Sequence, residues 1–274
     1  MTIERCTTGI RRLLLALALT MTAPAFAFDH SHAAWDALLK EHVAWLPGGH
    51  ASQVSYAGFQ QDRAALKAYL GSLSAVGKRE LDGWSRNQKL AFLINAYNAF
   101  TVELILTRYP DLESIRDLGS LIRSPWKTKF FTLLDEPRHL DEIEHGMIRA
   151  KGVYDDPRIH MAVNCAAIGC PALRPEAYVS ERLDSQLDDQ VLRFMSDRTR
   201  NRHDPRRKAL QVSKIFDWYE GDFEQGYRGI DSPESFFAGY AVQLADRPED
   251  QQAIREKSVK IRYLEYDWAL NDRR

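Results

Sequence analysis

The sequence predicts an α+β protein: a single helix-rich domain with a small, mostly antiparallel sheet and a long buried central helix. Three observations predict it. Stretches with apolar residues three and four apart dominate the first hundred residues and return at 178–197, which is helical spacing. Residues 90–106 are apolar nearly all round, the pattern of a helix enclosed on every side. Short two-residue alternations, at 158–164 and 258–263 for example, supply strands too few and too short for a large sheet.

Residues 1–27 are expected to be a cleaved signal peptide. Arg5, Arg11 and Arg12 precede an apolar run from Leu13, and Ala25-Phe26-Ala27 is a small-x-small cleavage sequence. The run is shorter than the roughly 20 residues a bilayer takes. Phe28, not Cys, follows the cut, which argues against a lipid anchor. The expected product is exported, periplasmic or secreted, with no membrane span. Three Arg and one Glu leave with the signal, so 37 basic and 38 acidic residues become 34 and 37. That near balance does not suit a nucleic-acid partner or an acidic membrane. The basic run at 198–208 contains no aromatic residue and reads as a solvated loop rather than a base-stacking surface. The expected partner is a small molecule or a protein.

Residues 28–53 form an N-terminal helical segment and 54–274 the main domain. Trp35, Leu38, Leu39, Val43 and Leu46 predict a helix over 32–46, stopped by Pro47-Gly48-Gly49. An extended piece at 54–59 leads to a second helix, 60–73. Ser85 is placed to cap a third, 86–109, ended by Pro110. Gln88, Asn95 and Asn98 share a face of it. Buried amides need partners, so they either tie loops to the helix or, at Asn98 with Asn95, face a pocket. A hairpin follows over 129–140, turning at 135–137, then a short helix over 141–150 whose Glu144 and His145 point about 100° apart. The alternation of Ile159, Met161 and Val163 with His160, Ala162 and Asn164 predicts a strand over 158–164. Cys165 then opens a turn closed by Gly169, Cys170 and Pro171. Ser180 is the expected cap of a helix over 178–197, and 209–216 reads as a strand. Short helices follow, one with Pro233 in its first turn. Val259, Ile261 and Tyr263 alternate in a final strand.

The chemistry-bearing residues admit several readings. Cys165 could be a thiol nucleophile, with His160 or His145 as its base, Glu144 or an asparagine orienting that base, and N–H groups of the turn as an oxyanion hole. In an oxidising compartment the two cysteines remaining after cleavage, Cys165 and Cys170, are expected to pair instead. A zinc site of His145, His160, Cys165 and Cys170 lacks the tight ligand pairs such sites show. Glu144, His145 and His160 could also do acid–base work without a thiol. None of the phosphate-loop, dinucleotide, zincin or nucleophile-elbow motifs occurs, so no cofactor and no metal is expected.

Five motifs stand in order: "LAFLINAYNAFTV" (90–102), "LDEIEHGMIR" (140–149), "DPRIHMAVNCAAIGCPAL" (156–173), "SKIFDWYEGDF" (213–223) and "RYLEYDWALN" (262–271). In these the chain resembles the domain of unknown function 547 family (DUF547), in the form of its bacterial exported members, from about Val54 to the C-terminus. Leu93 stands where the family carries tryptophan. The resemblance implies a portable domain without a transferable substrate. It draws attention to Asn95, Asn98, Glu144, His145, His160, Asn164, Cys165 and Asp217. Two functions follow as expectations: a periplasmic binding or scaffold module with a Cys165–Cys170 disulfide, or a cysteine/histidine-dependent hydrolase or transferase built on His160–Cys165 with Glu144, His145 and Asn98.

Overall fold

The structure, a computed structural model, describes residues 27–120 and 123–273. The expected signal peptide, apart from Ala27, lies outside the described residues. Helix α1 (Ala33–His42) stops short of the expected residue 46. Its continuation instead forms strand β1 (Val43–Trp45), which pairs antiparallel with β2 (Ser52–Val54). Gly48 and Gly49, at φ 91° and 71°, make the reversal between them, backbone that costs a side-chain-bearing residue strain. The second helix is two pieces, α2 (Tyr56–Gln61) and α3 (Arg63–Ser74), followed by the short α4 (Lys78–Asp82).

Helix α5 (Arg86–Leu106) is the central element. Ser85 caps it in a reciprocal capping box with Gln88, which satisfies two amide groups the first turn leaves unpaired. Among the described residues it is the one helix long and apolar enough to cross a bilayer, and 89% of its apolar window is buried inside the protein. The larger hydrophobic core surrounds it and includes Trp35, Phe59, Leu66 and Tyr178.

The hairpin β3 (Phe131–Leu133) and β4 (Glu136–Arg138) turns at Leu134 and Asp135, one residue earlier than expected, with φ 55° and 67°. The next helix, Glu142–Ile148, is a π-helix; its widened turn is marked by the Arg149 N–H donating to the Glu144 carbonyl five residues back, at 2.8 Å. The strand expected over 158–164 is instead a 3-10 helix, Pro157–Met161. Pro157 sets the helical φ of its first turn, and Asp156 accepts from the Arg158 N–H at 3.0 Å. The alternation misled because residues 157–164 are buried on every side, so apolar and polar positions do not sort into two faces.

Helix α6 (Leu183–Ser196) begins five residues later than 178. The chain before it is held extended: Tyr178 hydrogen-bonds Asn95 through both its N–H and its carbonyl, and the Val179 N–H donates to Gln186. Ser180 donates to Glu181 rather than capping. The remaining sheet is three-stranded. β5 (Arg202–Asp204) runs antiparallel to β6 (Ala209–Val212). β6 ends at Val212, not 216, because Ser213 initiates α7 (Ile215–Trp218). After α8 (Pro233–Gly239), α9 (Ala241–Leu244) and α10 (Pro248–Arg255), the chain returns as β7 (Lys260–Tyr263), parallel to β6. A second core forms here around Phe194, Phe216, Phe223 and Phe236. From β7 the chain runs back across the first core. There Ile168 and Gly169 donate to the carbonyls of Ala269 and Asp267, both at 2.8 Å, and Asn271 donates to the Ala166 carbonyl at 3.0 Å.

Candidate functional site

A cavity of about 250 Å³ opens where the two cores meet. Its residues come from α5 (Tyr97), the π-helix, the 3-10 helix, the Cys165–Cys170 turn, α7 and the C-terminal run. Glu144, His145, His160 and Cys165, four of the five residues expected to carry chemistry, line it together. The π-helix presents Glu144 and His145 to the same space, although they point apart on an ordinary helix.

Asn98 lies elsewhere. It donates to the Ala162 carbonyl at 2.9 Å and accepts from the Asn164 N–H at 2.8 Å. Asn95 binds the Tyr178 backbone, and Asn164 spans its own turn through Pro171 and Ala166. These three amides are ties between α5 and the loops that carry the site, not cavity walls. Asp217 pairs with Lys214 at 2.6 Å and also lies off the cavity lining.

The cysteines are bonded to each other, with Cα atoms 6.3 Å apart, so in this state neither sulfur is a nucleophile or a thiolate ligand. Among the described residues no three of His, Cys, Asp and Glu group as a metal site. The disulfide forms part of the cavity wall. Tyr266 donates its hydroxyl to Cys170 Sγ at 3.0 Å and lies 3.2 Å from Cys165 Sγ.

The polar groups form a chain whose proton positions are fixed by its members. Asp222 accepts from Arg149 Nε at 2.6 Å and Nη2 at 3.1 Å. It also meets His160 Nε2 at 2.7 Å. Burial alone would raise the Asp222 carboxyl, but the hydrogen bonds from His160 and Arg149 bring it down to about 2, so it is ionised and can only accept. Nε2 of His160 therefore carries the proton. Burial lowers the basicity of this imidazole, partly offset by Asp222, so the ring is neutral at pH 7 and Nδ1 is a bare acceptor. Nδ1 is buried and has no hydrogen-bond partner. Arg149 also reaches His145 Nδ1. A guanidinium only donates, so the His145 proton sits on Nε2, 3.4 Å from Asp141.

Tyr219 joins the two halves. Its ring stacks on His160 with centroids 4.0 Å apart and lies under the Arg149 guanidinium at 4.5 Å. Its hydroxyl donates to Glu144 Oε1 at 2.8 Å. Burial, then the Glu144 charge, pushes this phenol and that of Tyr97 upward, so both remain protonated donors. The cavity mouth is aromatic: Trp268 touches Trp126, Trp218 and Tyr266 at centroid distances of 5.9, 5.7 and 4.6 Å.

Sequence reasoning missed Asp222, Arg149, Tyr219 and Tyr266. Two signals were present: Arg149 stands four residues after His145, and "DWYEGDF" offers two aspartates, of which the second faces the site.

No curated protein and no solved structure matches the chain. A family model described as "Protein of unknown function, DUF547" matches residues 81–195. That span runs from the end of α4 to the end of α6 and holds Glu144, His145, His160 and both cysteines, while Tyr219, Asp222 and Tyr266 lie beyond it. Over residues 81–195 the chain is therefore similar to the DUF547 family.

Proposed function

We propose that the protein is a hydrolase or transferase that works by general acid–base catalysis in this cavity, with His160 as the base. One observation carries the reading: a neutral, buried imidazole that lines the cavity beside Glu144 is oriented through Nε2 by Asp222, and its Nδ1 has no hydrogen-bond partner. A buried polar atom without a partner is costly, and a substrate O–H or N–H would supply what is missing. Asp222 and Arg149 are positioning residues that fix the tautomer, as the carboxylate does in a Ser-His-Asp triad. Glu144, held by Tyr219, is the second proton-handling group. Cys165 has no role as a resting nucleophile. The disulfide supports a workplace in an oxidising compartment, outside the cytoplasm.

The aromatic mouth favours a second reading, a module that binds a small molecule or peptide without converting it. Turnover of a panel of small aryl esters, aryl amides and aryl glycosides separates the two. The enzyme reading expects one class to be hydrolysed, with His160→Gln lowering kcat/KM by about 10²–10⁴-fold, the usual contribution of a positioned base, and Asp222→Asn lowering it comparably while the far-ultraviolet spectrum is unchanged. Quenching of tryptophan fluorescence by a panel member, with no turnover of any, would favour the binding module.

A further inference from the structure

The disulfide is poorly explained as a staple. Its turn is already closed by the N–H groups of Ile168 and Gly169 donating to the C-terminal run, by the Asn271 N–H of that run donating to the Ala166 carbonyl, and by the Ala166 N–H donating to Asn164 at 2.9 Å. A bridge over only four intervening residues also removes little unfolded-chain entropy. Its surroundings are asymmetric in a way that suits reactivity. Cys165 is partly exposed and Cys170 is 5% exposed. Two donors converge on the sulfur of Cys170, the Cys165 N–H at 2.9 Å and the Tyr266 hydroxyl at 3.0 Å, whereas Cys165 Sγ meets only the same hydroxyl, at the longer distance of 3.2 Å. In thiol–disulfide exchange one sulfur is attacked and the other leaves with the electron pair, and stabilising the leaving thiolate speeds the step.

We propose that Cys165–Cys170 is a thiol–disulfide exchange centre that accepts electrons from a small dithiol entering the cavity, with Cys165 the attacked sulfur and Cys170 the leaving thiolate. The incoming thiolate bonds to Cys165 Sγ. The Cys165–Cys170 bond breaks, and its electron pair moves to Cys170 Sγ, where Tyr266 and the Cys165 amide receive the charge. The second thiol of the dithiol then displaces Cys165. The dithiol is oxidised by two electrons to its cyclic disulfide, the protein disulfide is reduced to two thiols, and the two protons of the dithiol end on Cys165 and Cys170. The product carries a free Cys165 thiol in the wall that holds Glu144, His145 and His160.

The test uses the oxidised full chain under native conditions. Dithiothreitol is added and released protein thiols are counted with a chromogenic thiol reagent. A monothiol, 2-mercaptoethanol, is used in parallel to trap the mixed disulfide, whose position is mapped by mass spectrometry of peptides. Reduction without unfolding, an adduct on Cys165, and a Tyr266→Phe chain reduced about tenfold more slowly are the results expected. Thiols that appear only on unfolding, an adduct on Cys170, or a folded Tyr266→Phe chain reduced as fast as the parent would overturn the proposal. Should Tyr266→Phe not fold, the adduct position on the parent chain decides alone. Neither measurement involves a substrate of His160, so failure here leaves the acid–base reading standing, and the reverse also holds.

Discussion

At the scale of single residues, the site turns on which nitrogen carries a proton. Asp222 and Arg149 leave His160 one choice and His145 one choice. Arg149→Met removes the constraint on His145 and one of the two hydrogen-bond partners that hold Asp222 low and in place against His160, and kcat/KM is expected to fall by about tenfold or more. If the variant keeps full activity with an unchanged pH profile, Arg149 is not a positioning residue. The base form of His160 is the active one, and burial sets its titration below the ordinary imidazole value of 6.5. Activity is therefore expected to be flat from neutrality down to that value and to be lost only below it. A profile that rises between pH 7 and 8 would point to another base. The residue types of this site were legible in the sequence, since Glu144, His145, His160 and Cys165 stand in two of the five ordered motifs. Their orienting partners were not, because Asp222 lies 62 residues beyond His160 and only the fold brings it there.

At the scale of elements, α5 is the rack on which the site hangs. Asn98 bonds the chain on both sides of Val163, so it fixes the 3-10 helix carrying His160 relative to the turn carrying Cys165. Asn98→Ala orphans a buried carbonyl and a buried N–H, and is expected to cost about 2–4 kcal/mol in urea unfolding. A cost below about 1 kcal/mol would mean that the loops hold themselves. Gly58 of α2 answers to packing instead, because a methyl group there would clash with Nδ1 and Cε1 of the His42 ring of α1. Gly58→Ala is expected to cost about 1–3 kcal/mol through overpacking, with no effect on kcat/KM, since α1 and α2 do not line the cavity. The helix of 86–106 was readable because a strong apolar pattern and a capping box agree. The 3-10 helix at 157–161 was not, because full burial erased the periodicity that separates strand from helix. The π-turn left no mark in the sequence at all.

At the scale of the molecule, buried imidazoles link the fold to pH. His32 Nδ1 shares a hydrogen bond with the Tyr69 hydroxyl at 2.7 Å, and burial lowers the imidazole from 6.5 to about 4. The unfolded chain therefore takes up a proton that the folded chain refuses. Stability present above pH 6.5 is lost as the pH falls towards 4, on the order of 3 kcal/mol in total. His160 is shifted in the same direction. The urea midpoint is expected to drop over this window and to drop less in His32→Gln, whose amide can still hydrogen-bond the Tyr69 hydroxyl in either direction. An equal drop in both chains would place the acid sensitivity elsewhere. The cavity itself draws on residues from Tyr97 to Trp268, with the last stretch laid over the Cys165 turn. A chain emerging from a ribosome thus carries Glu144, His160 and both cysteines long before it has a place for a ligand. Whatever chemistry they perform waits until Tyr266 and Trp268 have docked over the Cys165 turn, so the last residues to be made are also the ones that complete the cavity.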